Sequence, residues 1–170
     1  MLDNNTRQQI ISLIHREVVP AVGCTEPACV ALSVARATEL LGCLPEKIIV
    51  SLSANILKNA MGVGIPGTGM IGLPIAVALG AIIGRSAYEL EVLKDLTPET
   101  LEQGKRYIAE GRVNIQLKYG ITDKLYSEAV CEAQGHTATA VIATAHTHFV
   151  YEQVDDKVLL DRRCQQAADA

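Results

Sequence analysis

Two stretches of the chain set chemically capable residues ahead of helix starts. In Gly23-Cys24-Thr25-Glu26-Pro27, a cysteine stands just before a predicted helix. The helix dipole there favours a thiolate, the form that ligates metal or attacks an electrophile. In Gly62-Val63-Gly64-Ile65-Pro66-Gly67-Thr68-Gly69-Met70-Ile71-Gly72, a glycine-rich loop precedes another predicted helix. Its exposed N–H groups are suited to cradling a small anion such as a carboxylate. The run matches G-x-G-x-x-G twice, but it does not follow a strand directly and no βαβ unit surrounds it. It also lacks the Lys-Ser/Thr of a phosphate loop. A tight packing loop, in which glycine lets segments approach, is the plainer alternative. Asn55, Lys58 and Asn59 precede the loop with the spacing of one helical face. They are candidates to bind the carboxylate or amino group of a small substrate, with a solvated helix face as the alternative.

The other polar residues form weaker patterns. The five cysteines include no C-x-x-C pair, so no self-contained zinc or cluster site can be read from spacing. Cys29 reads as core, Cys43 as a turn residue and Cys131 as a strand residue. His146 and His148 would share a sheet face by the two-residue period of a strand, like a metal pair, but no carboxylate or cysteine stands at matching spacing. No paired carboxylates and no Ser/His/Asp set stand out.

The elements that must position these residues follow from periodicity. Ile10, Ile11, Ile14 and Val18 form an amphipathic helical stripe over 7–19, ended by Pro20. A second helix is predicted over 27–41, with Thr25 as N-cap and Gly42 as its stop. Residues 47–53 read as a strand and 55–60 as a turn or two of helix. An apolar helix follows over 72–83, then an amphipathic region with Leu90, Leu93 and Leu96. Thr97-Pro98-Glu99 opens a further helix that ends at Gly111. Beyond Gly111 the period changes from 3.6 to 2. Strands are predicted at 113–118, 125–133, 137–144, 148–154 and 157–160, with Gly120, Gly135 and Asp155-Asp156 as turns. The expected fold is α+β in a single domain, 1–170. A helical N-terminal two-thirds with one short strand precedes an antiparallel β meander packed on the helices.

Composition narrows the function classes. The chain has 170 residues, 49% hydrophobic and 20% charged, enough apolar material for a core. A net charge of −4 argues against sequence-independent nucleic-acid binding, which needs clustered Lys and Arg. Five Tyr, one Phe and no Trp offer no base-stacking platform. Residues 59–84 carry no charge over 26 positions, long enough to span a bilayer. Seven glycines and two prolines in that stretch favour a buried loop feeding a buried helix, so no membrane association is expected. The first residues lack the apolar run of a signal peptide, and a cytoplasmic location is expected.

Read in order, two long motifs carry a family resemblance. One is Pro20-Ala21-Val22-Gly23-Cys24-Thr25-Glu26-Pro27. The other is Asn55-x-x-Lys58-Asn59-x-x-Gly62-Val63-x-x-Pro66-Gly67-Thr68-Gly69-Met70-x-Gly72-Leu73-Pro74. Together they resemble the L-cysteine desulfidase family, which is related to the alpha chain of bacterial iron–sulfur L-serine dehydratases. Glu91-Val92-Leu93-Lys94-Asp95 and His146-Thr147 also fit, and the likeness runs from about residue 10 to 155. The resemblance implies α,β-elimination of L-cysteine to pyruvate, ammonia and sulfide. It also implies a [4Fe–4S] cluster on three cysteines, with one iron open as a Lewis acid.

Cys24 matches the N-terminal cluster cysteine. None of Cys29, Cys43, Cys131 or Cys164 matches the other two, and family chains are longer. The expectation is therefore an N-terminal portion whose cluster is absent or incomplete. Substrate roles for Asn55, Lys58, Asn59, Gly67, Thr68 and Gly69 come from polarity and loop geometry, and one for His146 comes from the match. L-Serine is the alternative substrate. A non-catalytic module for ligand binding or oligomerisation is the reading from another class, and it carries the expectation of a homo-oligomer through exposed apolar surface.

Overall fold

The computed structural model describes residues 5–6, 25–60, 64–65, 70–71, 73–121 and 124–162. The helix expected over 7–19 and the residues from Arg163 onward lie outside the described residues. Helix α1 (Thr25–Leu41) is followed by strand β1 (Lys47–Leu52) and the short helix α2 (Ala54–Ala60). Strands β2 (Gly64–Ile65) and β3 (Met70–Ile71) pair with each other, and helix α3 (Leu73–Ile82) follows. A 3₁₀ turn (Ser86–Glu91) leads to helix α4 (Pro98–Ala109). Thr97 caps α4 as expected. Its side chain accepts from Thr100 N while the Thr100 side chain accepts from Thr97 N, with Pro98 and Glu99 in the first turn. This reciprocal cap satisfies donors that the first helical turn leaves open. The remaining strands are β4 (Val113–Leu117), β5 (Tyr126–Ala133), β6 (His136–Ala143), β7 (Phe149–Val154) and β8 (Lys157–Asp161).

The fold is α+β, helices first and strand meander after, on one six-stranded sheet of order β4-β1-β5-β6-β7-β8. From β5 to β8 the pairing is antiparallel, as the strand period and turns predict. The β5–β6 loop has positive φ at both Gln134 and Gly135. That is the backbone of a two-residue hairpin whose twist matches the strands.

Residues 113–117 depart from expectation. They do not join the meander. β4 lies on the far side of β1 and runs parallel to it, Ile48 against Val113 through Leu52 against Leu117. The physical reason is the connection. Between β1 and β4 the chain forms α2, α3 and α4, a crossover long enough to return to the same end of the sheet. A two-residue period fixes which side chains share a face, not which strand is the neighbour.

Alternate residues of the sheet face the helices: Ile48, Val50 and Leu52 from β1, Ala129 and Cys131 from β5, Ala138 and Ala140 from β6. Helix α1 packs on β5 and β6, α3 packs on α1, and α4 packs on α3. Each fully buried Leu or Ile here, such as Leu32, Ile56, Ile75 or Leu79, contributes about 1.5–3 kcal/mol through removal from water. Polar ties cross the layers. Arg36 of α1 holds the nearly buried Glu152 of β7 in a two-point bond, Nε to Oε1 at 2.8 Å and Nη2 to Oε2 at 3.1 Å. Ser33 Oγ donates to Val30 O at 2.7 Å, which leaves it to accept from Ser127 Oγ at 2.8 Å. Both serines are fully buried, so the pairing removes a desolvation cost.

The contact between α1 and α3 sets the direction of the helices. A Cβ built on Gly80 would lie 2.7 Å from Ala31 O, and one on Gly84 would lie 2.7 Å from the Ala35 Cβ. The contact moves from Ala31 to Ala35 along α1 as the chain moves from Gly80 to Gly84, just past the end of α3, so the two run in the same direction in close contact. Their N-termini therefore lie at the same end of the molecule. No helix among the described residues is long and apolar enough to cross a membrane.

Candidate functional site

Both motif segments feed that shared end. Thr25, the first residue of α1, follows Cys24 directly, and Leu73, the first of α3, follows Gly72. Cys24, Gly67, Thr68 and Gly69 themselves lie outside the described residues. On either side of 66–69 the chain is paired, Ile65 with Met70 and Gly64 with Ile71. Each helix N-terminus carries partial positive charge at this end of the molecule, which favours negative charge there.

The turn after β6 meets the start of α1. His146 Nε2 lies 3.9 Å from Glu26 Oε1, with both side chains partly exposed. This corrects the two-residue strand period read for His146 and His148. The segment is a turn. Thr144 adopts φ +70, and His148 N donates to Ala145 O at 3.1 Å. The left-handed residue breaks the alternation, so His146 and His148 do not share a sheet face. His148 instead turns its Nδ1 to Thr144 Oγ1 (3.1 Å) and Ala143 O (3.2 Å). The imagined histidine pair does not form. Glu26 was named from the sequence only as part of the motif over 23–27, and its pairing with a residue 120 positions later was not legible.

Asn55, Lys58 and Asn59 share the exposed face of α2, while Ile56 and Ala60 point inward. The spacing argument holds, but the three do not act on one cavity. Asn55 lines a cleft of about 340 Å³ with Ser53, Lys118, Tyr119 and Lys124. Lys58 and Asn59 do not line it. Lys118 and Lys124 were missed from the sequence. No local signal marks them, because the crossover that gives β4 a parallel neighbour is what brings them to one cleft.

The described cysteines behave as buried or exposed structure. Cys29 is fully buried on α1, and burial, with Glu26 adding to it, pushes its thiol up to about 12 from an ordinary 9.0. Cys131 is fully buried on β5 and is likewise pushed up to about 12 by burial, partly offset by Thr38 Oγ1 at 3.8 Å. Cys43 is exposed in the turn after α1. A thiol held protonated is a poor metal ligand. Among the described residues no three His, Cys, Asp or Glu stand close enough to hold a metal ion. The described residues therefore do not fit a three-cysteine cluster, and its one matched ligand, Cys24, lies outside them.

No family model matches the chain. It is 65% identical over 162 residues to a UPF0597 protein of Bacteroides fragilis, a match spanning 95% of this chain and 38% of the relative. It is 67% identical over 163 residues to a UPF0597 protein of Bacteroides thetaiotaomicron, spanning 96% of this chain and 38% of that one. A UPF0597 protein of Porphyromonas gingivalis is 48% identical over 168 residues, 99% of this chain and 39% of the relative. The chain thus spans less than two-fifths of the length of these relatives.

Proposed function

We propose that this chain forms part of a lyase of the L-cysteine desulfidase kind, acting on a small β-substituted amino acid. The observation that carries the reading is the parallel contact of α1 and α3 at Gly80 and Ala31. It brings the segments after Cys24 and after the glycine-rich loop to one end, beside Glu26 and His146. In the elimination, the Cα–H bond and the Cβ–S bond break. A base takes the Cα proton, the electron pair from Cα–H becomes the Cα=Cβ bond, and sulfide leaves with the pair of the Cβ–S bond and takes up a proton. Water then converts the enamine to pyruvate and ammonium. The α1 and α3 N-termini favour negative charge at this end of the molecule. In this reading His146, 3.9 Å from Glu26, bonds the amino acid from the side of the β6–β7 turn. The cluster implied by the family needs ligands beyond those described, and the relatives extend well past the matched region.

The test is anaerobic reconstitution with iron and sulfide, applied to this chain and to the longer Bacteroides fragilis relative. Bound iron, acid-labile sulfide and pyruvate are measured, with L-cysteine and L-serine compared side by side. The relative is expected to hold the cluster and to form pyruvate with sulfide from L-cysteine. Substitution of its counterpart of Cys24 by serine is expected to abolish both. No pyruvate from either amino acid, in protein shown to hold the cluster, sinks the reading. Pyruvate from L-serine alone moves it to the dehydratase.

A further inference from the structure

The connection from β4 to β5 passes over the end of β1 and leaves the cleft beside the start of α2. Its rim is fixed by bonds to the end of β1. Lys118 N donates to Leu52 O at 2.8 Å, Ser53 N donates to Tyr126 O at 3.0 Å, and Ser53 Oγ donates to Lys124 O at 2.8 Å. The backbone is thus held while the side chains above it face solvent.

Those side chains are cationic. Among the described residues Lys124 Nζ makes no ion pair. Lys118 Nζ lies 3.6 Å from Glu128 Oε2, and the other oxygen of that carboxylate accepts from Tyr126 Oη at 3.0 Å. Lys118 and Lys124 thus line the same cleft, only Lys118 being paired among the described residues, and the exposed Asn55 amide adds an uncharged donor. The position has its own logic. Around β1 the sheet changes from a parallel neighbour, β4, to an antiparallel one, β5, and the cleft opens at the carboxyl ends of the parallel pair. One residue beyond Lys124, Leu125 O accepts from Thr144 N at 3.2 Å. The segment that carries Lys124 therefore also anchors the turn that carries His146.

We propose that this cleft binds a small carboxylate, with Lys118 and Lys124 as its charge partners and Asn55 as a hydrogen-bond donor. Its preference for an anion comes from these residues. The identity of the ligand, an α-amino or α-keto acid, rests on the lyase reading.

The experiment is a titration of the ¹⁵N-labelled chain followed by NMR, with L-serine, pyruvate and ethanolamine, which has the amine and hydroxyl but no carboxylate. The backbone amides of Lys118 and Gly120 and the Asn55 side-chain amide are expected to shift with the two acids and not with ethanolamine. Relative affinities for L-serine and pyruvate tell substrate from product as the better occupant. Lys118→Ala and Lys124→Ala, both at the surface, are each expected to weaken binding about tenfold, with the other amide signals unmoved. No shift at the cleft with either acid, equal shifts with ethanolamine, or unchanged affinity in the double variant overturns the proposal. Carboxylate binding here with no pyruvate from the reconstituted relative would keep the cleft and remove the lyase. Turnover in the relative without any binding at the cleft would do the reverse.

Discussion

Cys29 and Cys131 show how burial decides what a thiol can do. Each sits in apolar surroundings that disfavour the thiolate and lift its titration to about 12. Cys43, exposed after α1, has no such protection. At about pH 7, iodoacetamide is therefore expected to label Cys43 in the native protein and to spare Cys29 and Cys131 until denaturant is added. Mass mapping of the peptides checks this, and equal labelling of all three would contradict it. The same shifts set a pH dependence. A group whose folded value is raised above its unfolded value stabilises the fold in full below the unfolded value, here 9.0. That contribution is lost as the pH rises toward about 12. Urea midpoints are thus expected to fall as the pH rises from about 9 toward about 12, and replacing both cysteines by alanine is expected to flatten the slope. At this scale the sequence was a partial guide. Cys29 was readable as core from the Ala, Val and Leu of its helix, and Cys131 only as a strand residue. Lys118 and Lys124 were not readable as a pair, because only the crossing of the β4–β5 connection over β1 brings them to one cleft.

The elements were more legible than their arrangement. Thr97, Pro98 and Glu99 announce α4 because each meets a need of a first turn in its own sequence neighbourhood. The apolar run 73–82 announces a buried helix in the same way. What no local signal announces is that α3 lies parallel to α1, or that β4 pairs with β1. Those facts depend on side chains far apart in the chain. Gly80 is where the helix arrangement is decided, since any side chain there meets the backbone oxygen of Ala31 at 2.7 Å. Gly80→Ala is expected to push the helices apart and cost about 1–3 kcal/mol, despite the better helix propensity of alanine. A thermal melt reads the difference, and an unchanged or raised Tm would mean that the helices separate without penalty. If the paired N-termini make the site, the same substitution should also weaken ligand binding there.

At the scale of the molecule, the crossover has a consequence for how the sheet is assembled in time. Strands β5 to β8 are joined by short turns, so their pairing closes small loops. β4 meets β1 only after the 60 residues from 53 to 112 have been brought into place. Closing a long loop costs more entropy, and non-local pairing is correspondingly slow. Amide protection in a pulse-labelled refolding experiment is therefore expected first across β5 and β6 and last at β4. Simultaneous protection of both would show that the helices and sheet condense in one step. The cleft with Lys118 and Lys124 hangs from the end of that last strand. A ligand held there binds only the finished chain, and so would act as a latch on the step that completes the sheet.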